Sequence, residues 1–318
     1  MKPPYKISTK ILALVASISE KIGEVNAAHL HKPPTELRKK NRVKTIQSSL
    51  EIEGNTLTIE KITAIIEHKR VVGPKRDVLE VKNAIAVYNA MDTFNPYSLS
   101  SFCKAHSILM KGLIESPGTL RNKAVGIAKG SAVAHIAPPK EMVKPLMNDL
   151  FNYLKKDKEL LLIKSCVFHY ELEFIHPFID GNGRMGRFWQ TVILKDRYPV
   201  FEFLPVETII KSRQDVYYEA LGKSDKTGQS TLFIEFMLGV IEDSLEELLH
   251  TQNHVLTGIE RIQAYESSIK NESFSRKDYL RYFKEISAPT ASRDLKQAVE
   301  DGLLVKSGEK NTSRYKFK

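Results

Sequence analysis

Apolar residues recur every three to four positions along most of the first 265 residues. Ile7, Ile11, Leu14, Val15, Ile18, Ile22 and Val25 open the series at helical spacing. The same period predicts helices over 36–51, 58–69, 76–93, 98–112, 140–155, 159–175, 184–197, 206–222 and 229–265, the last with a break near Gln252. The pattern changes once: residues 118–139 alternate small and β-branched residues around Lys129-Gly130 and stop at Pro138-Pro139, which predicts a β-hairpin. No internal repeat or low-complexity segment interrupts the chain. The fold class is therefore mainly α, a helical body carrying a hairpin, with a small unit behind it.

That last unit covers 271–318. Ser275 and Asp278 are placed as a capping box for one short helix, and Thr290 as N-cap of a second that ends at Gly302. Leu303–Lys306 and Arg314–Phe317 then flank a polar turn at Gly308–Asn311. Helix, turn, helix and hairpin make a winged-helix pattern, although a small α/β tail packed on the body would carry the same caps. The body divides in turn into an N-terminal helical region, 1–110, and a core with hairpin and following helices, 111–265.

Composition adds little that is specific. With 318 residues, 42% hydrophobic and 27% charged, the chain has the balance of a globular protein. Its two cysteines, Cys103 and Cys166, lack neighbours at metal-site spacing and read as reduced core thiols, the usage of a cytoplasmic protein. The apolar stretch 11–18 follows three early lysines, but Glu20 and Lys21 interrupt it and no small-residue cleavage site follows, so it reads as an amphipathic helix rather than an export signal. No run is long enough to span a bilayer. The formal net charge is +10, and residues 270–318 hold 12 Lys or Arg against 7 Asp or Glu; Arg38–Lys44 is a second basic run. Such a surplus suits nucleic acid, nucleotides or plain solubility.

Residues 176–187, H-P-F-I-D-G-N-G-R-M-G-R, carry the chemistry. Pro177 disfavours helical geometry at His176, so the preceding helix should end there and leave an imidazole at a loop mouth, free to act as a base. Gly181-Asn182-Gly183 can turn successive backbone N–H groups inward as an anion nest, opening into a helix near Arg184 whose N-terminal dipole also favours negative charge. Asp180 supplies a hard oxygen suited to Mg²⁺ that keeps waters and phosphate oxygens as its other ligands. Arg184 and Arg187, three apart in the expected first turn, oppose the dipole by roughly 0.3–1 kcal/mol each, a cost that a bound polyanion offsets. For any one of these residues a polar helix start is the plainer explanation. Eight of them at fixed spacing, Phe178 included, arise by chance on the order of once in ten million.

The segment matches the signature H-x-F-x-[D/E]-G-N-G-R-x-x-R and so resembles the Fic (Fic/Doc) family. H-Y-E-L-E-F-I-H at 169–176, R-N-K-A-V-G-I at 121–127 with the later P-P, and D-V-Y-Y-E-A-L at 215–221 extend the likeness to about 35–245. The resemblance implies an all-helical fold with a hairpin flap and the transfer of AMP from ATP to a Ser, Thr or Tyr hydroxyl of a target protein. It implies His176 as base, Asp180 as Mg²⁺ ligand, Gly181, Asn182 and Gly183 around the α-phosphate, and Arg184 and Arg187 on the outer phosphates. Ser49-Leu50-Glu51-Ile52-Glu53-Gly54 resembles the family's inhibitory motif [S/T]-x-x-x-E-[G/N], in which Glu53 would pair with Arg187 and obstruct the γ-phosphate. On spacing alone the hexapeptide is also an ordinary helix end, Gly54 supplying a left-handed exit.

His169 reads as a packed core histidine and His135 as surface polar. Trp189, Tyr217 and Tyr218 read as packing residues, either tyrosine able to line a base pocket. Ser292, Arg293, Lys296 and Gln297 would lie at the start of the segment that a helix-turn-helix protein places in the major groove. Three functions stay open: an autoinhibited Mg²⁺-dependent adenylyltransferase that also modifies itself; a DNA-binding regulator whose nucleotide site senses; and the same site with other chemistry, namely deAMPylation or transfer of another nucleotide or of phosphate. The partners expected are ATP, a hydroxyl-bearing target and no membrane. Residues 271–318 would dock protein or DNA, and a homo-oligomer is left open.

Overall fold

The computed structural model describes residues 2–27, 35–129, 132–253, 258–269, 273–283, 286–309 and 313–317. They group into two compact units, Met1–Leu249 and His250–Lys318. In the first, the chain runs α1 Thr9–Ala27, α2 Thr35–Ile52, α3 Ile59–Ile66, α4 Lys75–Asn89, α5 Leu99–Leu109, strands β1 Gly126–Lys129 and β2 Ala132–Ile136, then α6 Lys140–Lys156, α7 Leu161–Ile175, α8 Asn182–Arg197, α9 Val206–Ser212, α10 Gln214–Thr227 and α11 Thr231–Asn253. Short 3-10 turns at Met91–Thr93 and Pro199–Phe203 punctuate it.

The first unit is built around α7 and α8. α7 is apolar on every side and buried from Leu162 to Tyr170, and α8 is buried from Arg184 to Leu194; a helix enclosed all round belongs to a core. Aromatic rings lock the pair to its neighbours. Phe102 of α5 meets Trp189 of α8 edge-on at 5.1 Å, and Phe151 of α6 meets Phe168 of α7 at 5.2 Å. Such contacts contribute about 0.5–1.5 kcal/mol each beyond the area they bury. Phe178, in the loop between α7 and α8, stacks on Phe102 at 5.4 Å, so the loop is anchored in the core rather than hung from it.

α2 packs along α9, with Ser48 Oγ donating to Thr208 Oγ1 at 3.3 Å and Asn41 Nδ2 donating to Phe203 O at 2.9 Å. This register brings the C-terminal turn of α2 to the start of α8. α1 buries Ile11, Ile18, Ile22 and Val25. Ser8 caps it, accepting from Ile11 N at 3.1 Å while its hydroxyl donates to Glu235 of α11 at 2.6 Å. β1 and β2 pair antiparallel, Gly126 opposite Ile136, with an irregularity between Ile127 and Ala128. The turn expected at Lys129-Gly130 and the side chain of His135 lie outside the described residues.

The second unit holds α12 Gly258–Ile269, α13 Arg276–Tyr282, α14 Ala288–Glu300 and the antiparallel strands β3 Leu304–Ser307 and β4 Arg314–Phe317. Tyr265, Phe274, Tyr279, Phe283, Leu295 and Phe317 fill its centre. The Ser275–Asp278 capping box is present. Among the described residues of both units, no helix is long and apolar enough to cross a membrane.

The pattern of apolar positions misplaced several boundaries. Residues 206–222 form two helices, because Arg213 leaves the helical region at φ −119. A one-residue break does not disturb apolar periodicity. α14 is capped by Ser287, whose Oγ accepts from Thr290 N at 3.3 Å, so Thr290 lies inside the helix. Pro289 falls in the first turn, where its missing N–H leaves no helical bond unmade. The sequence division ran the body on to 265, whereas α12 groups with the C-terminal residues. The physical reason is a buried pair: Arg261 donates to both oxygens of Asp294, at 2.7 and 2.9 Å.

Candidate active site

His176 ends α7 as its C-cap in the left-handed region, φ 50 and ψ 60, a conformation that costs a non-glycine residue roughly 1–2 kcal/mol. Arg121 holds it there. Its Nε donates to His176 O at 2.8 Å and its Nη2 to Ile175 O at 3.2 Å and Pro138 O at 2.6 Å, while its backbone N–H donates to Pro177 O at 2.8 Å. One buried guanidinium thus ties the end of α7 to the chain on both sides of the hairpin. The imidazole is half-buried at the mouth of the loop.

The loop is clamped from within. Asn182 is buried, its Oδ1 accepting from Phe178 N and its Nδ2 donating to Phe178 O, both at 2.9 Å. With its carboxamide so engaged, what Asn182 can give an anion is its backbone N–H. His106 of α5 lies flat on Phe178 at 3.5 Å between ring centres. Its Nδ1 accepts from Gly118 N at 2.8 Å, which leaves the proton on Nε2 to donate to Asp180 O at 3.0 Å. Burial pushes the His106 imidazole down to about 4, so it stays a neutral strut. Gly181 caps α8 with φ 87, and a Cβ there would stand 2.7 Å from Met110 Sδ. Any other residue would be strained at this φ and would have to displace the Met110 side chain.

α8 begins at Asn182 rather than near Arg184, so Arg184 falls at its third position and Arg187 in the second turn. Arg184 bridges two carboxylates, Nη2 to Asp180 Oδ1 at 2.9 Å and Nη1 to Glu80 Oε1 at 3.2 Å. Arg76 reaches the same pair from α4, with Nη2 3.2 Å from Asp180 Oδ2 and Nε 3.4 Å from Glu80 Oε1. Arg187 is 3% exposed. It donates through Nε to Ser49 Oγ at 3.2 Å and through Nη2 to Ser49 O at 2.9 Å and Glu53 Oε1 at 2.7 Å. Burial pushes the guanidinium pKa down, but the charges of Glu53 and its neighbours outweigh it and the net direction is up. Glu53 also presses on the start of α8: a Cβ at Gly183 would stand 2.5 Å from its Oε1. A carboxylate therefore lies where a helix N-terminus and an arginine both favour an anion.

Glu80, Arg76, Arg121, His106 and Glu173 were not singled out in the sequence. Arg121 and Glu173 carried a signal, their places in the R-N-K-A-V-G-I and H-Y-E-L-E-F-I-H segments; the others lie on α4 and α5, where a lone polar residue looks like surface. Burial pushes the Glu173 carboxyl up to about 8, against the pull of Arg187. His169 is fully buried against Gln190, 2.7 Å from its Nδ1, and burial pushes it down to about 3. Trp189 and Tyr217 are buried and Tyr218 is half-buried. Of the cysteines, Cys166 is buried and Cys103 half-buried, both free.

Among the described residues no three His, Cys, Asp or Glu side chains converge on a metal position. A site made wholly of protein ligands is thus absent there. Asp180 has the chemistry for Mg²⁺ shared with a polyphosphate, a 38% exposed hard oxygen donor beside the anion-favouring start of α8, although Arg184 and Arg76 hold its two oxygens here and would have to yield one to the ion.

The Fic/DOC family model matches residues 96–194, which contain α5, the hairpin, α7 and most of α8. A crystal structure of a Fic family protein from Desulfovibrio desulfuricans G20 superposes with a TM-score of 0.80 at 40% identity, over 100% of this chain and 98% of that one. A structure of Fic-1 (aa134–508) from C. elegans shares the fold at a TM-score of 0.64 and 19% identity, covering 76% of this chain and 73% of that one. A protein adenylyltransferase Fic from Nematostella vectensis is 29% identical over 267 residues, 79% of this chain; the chain spans 60% of that relative's length. With the signature intact from His176 to Arg187 and 40% identity holding over two whole chains, this protein belongs to the Fic family.

Proposed function

We propose that the chain is a Mg²⁺-dependent protein adenylyltransferase that uses ATP, acts on a hydroxyl of a target protein and of itself, and is held back by its own Glu53. The observation that carries this reading is the convergence at one loop of a base, His176, with the anion-favouring start of α8 and two arginines. Named adenylyltransferase relatives support it.

In this reading the backbone N–H groups of Gly181–Gly183 and the start of α8 hold the α-phosphate, and Arg184 and Arg187 the outer phosphates. Mg²⁺ bound through Asp180 would neutralise phosphate charge. His176 takes the proton of the target hydroxyl as its oxygen bonds to the α-phosphorus. The bond from that phosphorus to the bridging oxygen breaks, and pyrophosphate leaves with the electron pair. Arg121 keeps the imidazole aimed by fixing the backbone on either side of it. Glu53 opposes the reaction because its carboxylate takes the same Arg187 donor that the γ-phosphate needs, so ATP that binds anyway lies with its α-phosphate poorly aligned.

The helix, helix and hairpin of residues 271–318 support the winged-helix reading, with α12 as an added helix; we read this unit as a docking module for protein or DNA, and the protein as cytoplasmic. Intact-mass measurement after incubation with ATP and Mg²⁺ tests the proposal. A gain of one adenylate supports it; a gain of one phosphate, or binding with no covalent change even in Glu53→Gly, overturns it in favour of phosphate transfer or sensing.

A further inference from the structure

α4 has two working faces. Arg76 and Glu80 face the candidate site, whereas Val78, Lys82 and Ile85, at helical spacing on another face, line a groove of about 480 Å³ with Ile65 and Val71. The groove is made by the way α3 ends. His68 takes the left-handed conformation at φ 58, Lys69 N donates to Ala64 O at 2.8 Å and His68 N to Ile65 O at 3.0 Å, so the chain turns sharply off the helix. Glycine is the usual residue at such a turn, and a histidine there is strained, a condition that clusters at functional sites. Beyond it Val72 is 84% exposed, the most open of the large apolar side chains described in this protein.

The charged side chains that line the groove are all basic. Arg70 and Lys82 line it and are exposed, and Lys75 is exposed nearby. The two adjacent acids are engaged: Glu67 pairs with Lys69 at 2.6 Å, and Asp77 accepts from Thr56 N at 2.9 Å and from Thr56 Oγ1 at 2.6 Å. All four cationic or titratable side chains that line the groove are exposed, so no buried polar group waits inside to orient a small molecule. An apolar floor with basic lips suits a peptide segment that inserts aliphatic side chains and carries acidic ones at its edges.

We propose that this groove docks an acidic, leucine-bearing segment of the target protein. The proposal rests on the transferase reading: α4 carries the groove on one face and the Arg76–Glu80 end of the site on another, so a segment held here keeps its protein beside His176 between encounters. Docking acts through local concentration and makes none of the contacts of the reaction.

The test is an array of 18-residue peptides with Leu at i, i+3, i+4 and i+7 and with Glu, Ser or Lys at the other positions, probed by fluorescence anisotropy against the full chain. Binding should rank Glu above Ser above Lys. It should weaken about tenfold or more in Arg70→Glu/Lys82→Glu, persist in Arg70→Lys/Lys82→Arg, and leave ATP binding unchanged. Circular dichroism melting of each variant separates lost docking from lost folding. Absence of an acidic preference, retention of binding by the charge-reversed protein, or an equal response to a random DNA duplex overturns the proposal. Because the array needs no turnover, failure of AMP transfer leaves this result standing, and failure of docking leaves the site chemistry standing.

Discussion

Replacing Glu53 by glycine removes one carboxylate from a nearly enclosed arginine. Arg187 keeps its two hydrogen bonds to Ser49, at 3.2 and 2.9 Å, and loses the ionic one at 2.7 Å. A hydrogen bond to a charged group contributes about 1.5–3 kcal/mol. The γ-phosphate must displace that bond in wild type and need not in the variant, so AMP incorporation should rise by about 10- to 150-fold, at about 1.4 kcal/mol per tenfold. The fold should suffer in the opposite sense, since breaking a buried pair from one side costs up to about 3–5 kcal/mol and Glu53, at 30% side-chain exposure, is only partly enclosed. The assay is AMP incorporation into the protein by intact mass, for wild type, Glu53→Gly, Arg187→Ala and the double variant, with melting curves beside it. Glu53→Gln, which keeps an acceptor without the charge, should fall between wild type and glycine. Arg187→Ala should cancel the gain, because both changes act on one pair and cannot add. If Glu53→Gly is no more active than wild type while Arg187→Ala is impaired, Glu53 is a helix end and inhibition lies elsewhere.

Four further outcomes follow from the geometry. His176→Ala should abolish transfer while ATP binding, measured by titration calorimetry, changes little; equal transfer would remove His176 from the chemistry. Arg121→Ala leaves the carbonyls of Ile175, His176 and Pro138 without this donor, so it should lower stability by about 2–4 kcal/mol and transfer with it, and Arg121→Lys should recover little because one ammonium cannot replace the fork. Glu173 holds a proton in the folded chain up to about pH 8 that the unfolded chain releases near 4.5, so its contribution falls as pH rises between those values; Glu173→Gln should gain about 3 kcal/mol over wild type between pH 5 and 8 in urea midpoints, and a difference that ignores pH refutes the burial argument. Arg261→Ala strands Asp294 and should cost the second unit about 3–5 kcal/mol, seen as protease cleavage within 258–317 while the first unit stays protected.

What could be read from the chain was whatever is local. The hairpin, the helices of the body and the cap at Ser275 rest on contacts between residues a few positions apart, and local pattern found them. The motif was legible because each residue answers a local demand: Gly181 a positive φ, Asn182 a carboxamide that clamps Phe178 four residues back, and Gly183 the lack of a Cβ beside Glu53. What sequence could not show was the support: Arg121 acts across 55 residues on His176 O, His106 across 74 on Asp180 O, and Glu80 across 104 on Arg184. Each is one polar residue, and only the packing of α4, α5 and the segment before β1 on α7 and α8 makes it specific. The α12 boundary was missed for the same cause, since Arg261 and Asp294 are 33 residues apart.

Arg187 shows how such a site tolerates an exchange of anions. A buried guanidinium is costly to leave without counter-charge, and in the proposed function the γ-phosphate must take the place of Glu53 on it. Two other carboxyls interact with it: burial pushes Glu173 up to about 8 and Glu207 up to about 7, with Arg187 pulling both back down. While Glu53 is in place the arginine is already matched, and a second anion beside it would be in excess, which favours the protonated form of Glu173. Removing the Glu53 charge would take away one of the causes that raise Glu173 and leave the pull of Arg187 in place. Glu173 and Glu207 therefore stand beside the arginine as carboxyls that burial keeps protonated and that its charge pulls toward ionisation. This is a physical reason for acidic residues at positions of α7 and α9 that face inward, where a packing helix would otherwise carry leucine.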